Sequence, residues 1–251
     1  MNEHELLKQW EAEAQEPFAG WDFSHLRGRW HEDAPPWSYE ALVRAALPGA
    51  ESLLDMGTGG GEKLLEFRDV FPPRVMATEG YEPNMAVAAA NLAPHGVQVI
   101  AYDAERDPVL PFADDSLDCI INRHEAYDAA EIARVLRPGG IFCTQQVDGR
   151  DALDLYSLFG VQPAYLHITL GHLQPDLENA GLIIQAAQDW AGTMTFTDVG
   201  ALVYYLSAIP WNAPPDFSVP RYKDQLLALH AHPRLEFTIR RFYLQAVKPK
   251  S

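Results

Sequence analysis

The sequence predicts an α/β fold, a mostly parallel sheet with helices on both faces. Two observations carry that expectation. The apolar run Leu53-Leu54-Asp55-Met56 ends against Gly57-Thr58-Gly59-Gly60-Gly61, and an apolar-periodic segment follows at once, which is the pattern of strand, tight turn and helix. Glu79, at the end of the next strand-like run, then follows Asp55 by 24 residues, the length of a strand–helix–strand unit.

The other elements follow along the chain. Residues 1–16 place Leu6, Leu7, Trp10 and Ala14 at helical spacing. Phe18, Trp21, Phe23, Leu26 and Trp30 make a stretch too irregular for an amphipathic helix. Pro35-Pro36 break the chain, and Ser38 can cap a helix over 39–47. The glycine turn leads into a helix over 63–67, stopped by Pro72-Pro73. After the strand over 74–80, Pro83 suits the first turn of an Ala-rich helix that ends before His95-Gly96. Strands are expected at 99–104 and up to Ile120-Ile121, then a helix closing over 131–136, a turn at Arg137-Pro138-Gly139-Gly140 and a fifth strand over 141–147. Residues 151–159 and 172–180 have helical patterns, 182–187 a sixth strand and 235–247 a seventh. Roughly 45 residues separate these last two strands where a few suffice. The excess is an insertion over 193–233, with helices at 199–206 and 220–230 around a proline-rich turn.

Spacing narrows the ligand of the glycine turn. A dinucleotide fingerprint set on Gly57 and Gly59 needs glycine where Glu62 stands, and a phosphate loop needs Ser or Thr after its lysine where Leu64 stands. Asp55 and Glu62 also place negative charge where a pyrophosphate would approach. The expected ligand carries no phosphate and tolerates a positive charge.

Asp55-x-Gly57-x-Gly59-x-Gly61 resembles the cofactor loop of the class I S-adenosylmethionine-dependent methyltransferases, in the form of a methyltransferase type 11-like domain. The resemblance continues in order through Arg74-Val75-Met76-Ala77-Thr78-Glu79-Gly80, Val99-Ile100-Ala101-Tyr102-Asp103-Ala104, the stretch from Leu110 to Ile121, and Arg134-Val135-Leu136-Arg137-Pro138-Gly139-Gly140, covering about residues 50–147. It implies a Rossmann-like seven-stranded sheet with an antiparallel last strand, a helical lid insertion near the C-terminus, and S-adenosyl-L-methionine as cofactor. It further implies an N-terminal helical cap over 1–48 and a methyltransferase domain over 49–251.

The implied cofactor residues are Asp55, Gly57, Thr58, Gly59 and Gly61, Glu79 with Gly80 at the ribose, Asp103 with Ala104 at the adenine edge, and Asn122 with Arg123. A carboxylate suits the ribose position because it accepts from two vicinal hydroxyls at once. His124 and Glu125 stand at the end of the fourth strand, where the methyl group meets its acceptor, and are the catalytic candidates. A histidine there can serve as general base, with Glu125 orienting it or taking the proton. The alternative is that Arg123 and Glu125 pair to shape the loop, since alignment alone supplies much of the rate of an in-line methyl displacement. Trp30, Gln145, Tyr204 and Trp211 are the candidate acceptor-binding residues. For Arg27, Arg29 and Trp30 two readings stay open, a lid over the cofactor or packing at the end of the sheet. The Asn or Asp followed by two prolines and an aromatic, found in amino-methylating relatives, is here Asn122-Arg123-His124-Glu125, which disfavours base-amine methylation.

Composition bounds the partners. A formal charge of −16 repels phosphate backbones and anionic lipid, so a bulk nucleic-acid binder is disfavoured. Cys119 and Cys143 lie in apolar runs and read as reduced core residues. His167 and His172 lack a third ligand, so no metal is expected. No apolar run is long enough to span a membrane, and the start has no signal-peptide pattern, which suits a cytoplasmic protein. The function expected is methyl transfer to an oxygen, nitrogen or carbon nucleophile on a small molecule. Two alternatives are an RNA-modifying enzyme, with a basic face from Arg27, Arg29, Arg44 and Arg123, and a cofactor-binding regulator or partner subunit without chemistry. Oligomeric state is not legible in the sequence.

Overall fold

In the computed structural model, described for residues 2–18, 22–209 and 213–250, strand β2 (Ser52–Met56) is buried at every position. It lies between two parallel neighbours, β3 (Arg74–Glu79) and β5 (Leu117–Arg123). Outside β3 runs β4 (Gln98–Ala101), and outside β5 runs β6 (Leu136–Val147), both parallel to their neighbours. Strand β8 (Leu235–Val247) pairs antiparallel with β6, as expected of the last strand. The sheet order is β1-β7-β8-β6-β5-β2-β3-β4, where β1 is Trp30–Glu32 and β7 is Ile183–Phe196. The fold is therefore the mostly parallel, Rossmann-like sheet the sequence predicts, with one short strand added at its edge.

The described residues group into two compact units, and β7 and β8 contribute to both. One unit comprises Pro36–Asp148, His167–Trp190 and Arg241–Ser251. Side chains alternate between sheet faces along a strand, so each strand feeds two cores. Leu53, Val75, Ala77, Cys119, Ile121 and Cys143 pack on one face with residues of α2 (Tyr39–Ala46), α3 (Glu62–Leu65) and α4 (Glu82–Leu92). Leu54, Met56, Met76, Ile120, Phe142 and Leu244 pack on the other with Ile132 and Val135 of α5 (Ala129–Val135) and Leu177 of α7 (Leu170–Asn179). These runs read as continuously apolar because both faces are covered. Helix starts follow local chemistry: Ser38 caps α2 through the Ala41 amide, Asp128 caps α5 through that of Glu131, and Pro83 sits in the first turn of α4.

The second unit comprises Met1–Pro35, Gly149–Leu166 and Ala191–Arg240. It holds α1 (Glu3–Ala14), α6 (Leu153–Leu158), α8 (Val199–Ala208) and α9 (Lys223–His230). Asn2 and Glu5 form a capping box at the start of α1. Rings of Phe23, Trp30, Phe196 and Tyr205 form an aromatic core. The Arg29 guanidinium joins Glu13 of α1 at 2.8 Å to Asp198, the N-cap of α8, at 2.7 Å.

Three boundaries differ from the sequence expectation. The sixth strand runs on from Ala187 to Phe196, so the insertion begins after residue 196 and not at 193. Its last residues pair with β1, and Asp33 secures the corner by exchanging backbone and side-chain hydrogen bonds with Thr193. The irregular aromatic stretch accordingly contains a strand, Trp30–Glu32. The expected turn at 137–140 lies within β6, where Leu136 pairs with Leu117 and the register shifts before Cys119 meets Ile141.

Candidate active site

The glycine loop joins the end of β2 to α3. Thr58 donates its amide to Thr78 O on β3 at 2.9 Å, and the Gly61 amide turns back to Thr58 O at 3.0 Å. Gly57 adopts φ +65°, and a Cβ there would lie 2.5 Å from Glu125 Oε2, so only glycine lets that carboxylate rest on the loop. Gly59, at φ +61°, has nothing within 4 Å of where a Cβ would stand. Glu79 is buried, with Oε2 accepting from the Gly59 amide at 2.7 Å and Oε1 from the Tyr81 amide at 2.8 Å. Gly80 lets the end of β4 approach closely, because a Cβ would meet Asp103 Cβ at 2.8 Å.

The loop's electrostatics are acidic. Burial pushes the Asp55 carboxyl up to about 7, Thr58 offsets part of this, Glu79 adds to it and Arg123 opposes it. Glu125 is likewise raised, first by burial and then by Glu79, Asp103 and Glu105, against a lowering hydrogen bond from the Ala126 backbone. Such a pocket favours a cation, which would let both acids ionise. Asp103 Oδ1 accepts from the Glu105 amide and Oδ2 pairs with Arg106 at 3.2 Å, so its turn contacts occupy part of its capacity. Ala104 follows it in the same turn and packs against the apolar core.

At the end of β5 the chain places two polar clusters on opposite faces. On one face Asn122 Oδ1 accepts from Thr144 Oγ1 at 2.9 Å and Gln146 Nε2 at 2.7 Å, and that amide also donates to Glu125 O. Asn122 Nδ2 is buried without a partner among the described residues. On the other face Arg123, Gln145 and Tyr243 lie side by side across β5, β6 and β8. Trp37, just before α2, donates its indole N–H to Gln145 Oε1 at 2.9 Å, and its ring stands 5.0 Å from that of Tyr243.

His124 follows in the left-handed region at φ +63°, held by its amide bond to Gln145 O at 2.9 Å. A non-glycine residue there carries about 1 kcal/mol of strain. Gln145 Nε2 stands 3.3 Å from His124 Nε2. Because the Trp37 indole only donates, it fixes Gln145 Oε1 as acceptor and Nε2 as donor. His124 Nε2 must then accept, which leaves the ring proton on Nδ1. His124 is exposed, and the protein packed about its ring, Arg123 and Arg241 hold its pKa down to about 3. Neutral imidazole is the form this setting favours.

The structure thus gathers Asp55, the loop glycines, Thr58, Glu79, Gly80, Asp103, Ala104, Asn122, Arg123, His124, Glu125 and Gln145 in one unit, at the carboxyl ends of the parallel strands. That edge is where ligands bind in open α/β sheets. Trp30 and Tyr204 belong to the other unit, where Trp30 packs against Phe23 and Tyr205, and Tyr204 is buried with its ring 4.5 Å from that of His25. Trp211 lies outside the described residues. Among the described residues no group of three His, Cys, Asp or Glu could hold a metal ion, and no helix is long and apolar enough to cross a membrane. Sequence reasoning missed Trp37 and Tyr243. The partnership of Trp37 with Gln145 spans 108 positions, and no local pattern announces it.

Comparison with known proteins agrees with this geometry. Residues 54–144 match the methyltransferase domain family. No curated protein shows significant similarity to the chain. Among solved structures, the YcgJ protein of Bacillus subtilis is 20% identical with TM-score 0.60, the match covering 85% of this chain and 98% of that one. A Deinococcus radiodurans R1 protein of unknown function is 14% identical with TM-score 0.60, covering 98% of each chain. The [4+2]-cyclase SpnF is 18% identical with TM-score 0.54, covering 98% of this chain and 94% of that one. At these identities the likeness speaks for the fold, which hosts more than one chemistry. The glycine loop, the acid ending β3 and the family match together identify residues 54–144 of this chain as a methyltransferase domain.

Proposed function

We propose that the protein is an enzyme that transfers a methyl group from S-adenosyl-L-methionine to a small-molecule acceptor. One observation carries this reading: Glu79 clamps the glycine loop, which leaves open the space where a Gly59 side chain would stand, beside the polar row at the ends of β5 and β6. The residues fit the cofactor. An open glycine face, buried acids with raised pKa and the unpartnered Asn122 amide suit a polar, cationic ligand. When bound, the cofactor supplies a methyl carbon made electrophilic by its sulfonium.

The chain's own residues would do the rest. Gly57, Thr58, Gly59 and Gly61 offer backbone at close range, and Glu79 has lone pairs left for ribose hydroxyls. Asp103 and Ala104 would read the adenine edge. Asp55 and Glu125 would balance the positive charge, and binding would lower both pKa values. His124, held neutral with its Nε2 facing Gln145, would position the acceptor by hydrogen bonding and would hold a proton poorly. Alignment of acceptor and methyl group then supplies most of the rate.

A nucleic-acid acceptor draws no support from charge. Arg29 is neutralised by Glu13 and Asp198, and Arg44 by Glu40 and Asp69. A cytoplasmic location is part of the proposal. Release of S-adenosylhomocysteine, measured against carboxylates, phenols, amines, thiols and total RNA, tests the reading. Turnover is expected with a small molecule. Turnover on RNA alone, or none from protein that binds the cofactor, contradicts it in favour of the RNA-modifying or regulatory alternative.

A further inference from the structure

We propose that the row Arg123–Gln145–Tyr243, with Trp37 and Arg241, is an acceptor subsite for a planar oxyanion, a carboxylate or phenolate carried on a flat ring or conjugated chain. The inference rests on the methyl-transfer reading above and names its acceptor class.

Register places the groups. Arg123 pairs with Gln145, Gln145 with Tyr243, and Arg241 with Val147 two positions along. Paired residues share a face and side chains alternate, so Arg123, Gln145, Tyr243 and Arg241 project from the same face of the sheet. Asp55 pairs with Ile121, two residues before Arg123, and therefore projects from that face as well, which puts the row beside the cofactor loop. Trp37 lies over the row, bonded to Gln145 and set against the Tyr243 ring at an interplanar angle of 59°. Two tilted rings joined to an amide make a surface that suits a flat ligand.

Charge supplies the second argument. The chain has 19 Lys and Arg against 35 Asp and Glu, so cations are scarce. Arg123 is nonetheless exposed and makes no ion pair among the described residues. Both it and Arg241 act electrostatically on His124. Arg123 thus offers an open guanidinium on the row beside the cofactor loop of an otherwise acidic protein. Guanidinium groups recognise carboxylate geometry through paired N–H donors.

The chemistry closes without a protein base. A carboxylic acid or acidic phenol arrives ionised, and the arginines favour that form. Its oxyanion gives an electron pair to the methyl carbon, and the pair of the breaking carbon–sulfur bond stays on sulfur. The products are a methyl ester or aryl ether and neutral S-adenosylhomocysteine, with no proton transferred. The reaction asks no proton of His124.

The test is calorimetric titration of benzoate, cinnamate, benzamide, cinnamamide and benzylamine into the full chain, first alone and then with saturating S-adenosylhomocysteine. The carboxylates are expected to bind about tenfold or more tighter than their amides. Arg123→Gln and Arg241→Gln should each weaken the carboxylates about tenfold and leave the amides unchanged, whereas Trp37→Leu should weaken both classes alike. Amides or amine binding as tightly as the acids, a preference that survives the double arginine variant, or no carboxylate binding at all would overturn the inference. S-adenosylhomocysteine titrated into the same samples separates the failures. If it binds while the carboxylates do not, only the acceptor class falls; if it does not bind, the methyl-transfer reading falls with it.

Discussion

Glu79 ties two strand ends together: its carboxylate accepts from the Gly59 amide at 2.7 Å on the loop after β2 and from the Tyr81 amide at 2.8 Å just beyond β3. The loop is therefore shaped by the residue expected to receive the ribose. Glu79→Gln keeps one acceptor oxygen and turns an amide donor toward a backbone donor. It should cost about 1–3 kcal/mol, the penalty of an unpaired buried donor, read as a lower urea midpoint at pH 7.

Asp55 gives stability a pH dependence with a defined sign. Its pKa is raised to about 7 in the fold, mainly by burial. The native state thus keeps a proton that the unfolded chain releases near pH 4. Its contribution is fully present below the unfolded pKa and is lost as pH rises through about 7. Asp55→Asn should match the wild type near pH 4 and become progressively more stable than it up to about pH 7, with a constant difference above that. Urea midpoints of the two proteins across this range measure the effect, and a difference independent of pH would contradict it.

Two glycines should answer alanine substitution with opposite signs. At Gly80 the new methyl group meets Asp103 Cβ at 2.8 Å and its Cα at 2.9 Å, backbone that cannot yield, and a loss of about 1–3 kcal/mol is expected. Gly171 lies in α7 with nothing within 4 Å and no positive φ. There alanine should gain about 0.5 kcal/mol by restricting the unfolded chain. Thermal melting of both variants checks the contrast.

Asp198 both caps α8 through the Ala201 amide at 2.9 Å and receives Arg29. Asp198→Asn keeps a capping oxygen and loses the charge, whereas Asp198→Ala loses both. The alanine variant should be the less stable of the two by about 1 kcal/mol, the worth of an N-cap, in chemical denaturation.

What the sequence disclosed was whatever its local pattern encodes. The glycine turn, the acid at position 79 and the seventh strand at 235–247 announce themselves through spacing and apolar periodicity, and the structure has each in place. The reach of β7 to Phe196 did not, because Ala191-Gly192-Thr193 interrupts its apolar pattern and this part of the strand is held by backbone pairing to β1. Trp37 was silent for a related reason. Beside two prolines it looks like a chain break, and only the folded sheet brings Gln145 and Tyr243 to it. Histidine at position 124 stands at the strand end where the sequence puts it, but the packing around it and Arg241, which with Arg123 hold its pKa below the ordinary value, come from distant parts of the chain and leave no local pattern.

Calorimetric titration of the wild type and of Glu79→Ala with S-adenosylmethionine and S-adenosylhomocysteine, with folding of both proteins checked by circular dichroism, tests the cofactor site most directly. Saturable micromolar binding of both ligands at one site per chain is expected, weakened at least about tenfold in the variant. A folded wild type that gives no binding heat with either ligand, or a folded variant that binds as tightly as the wild type, would contradict it.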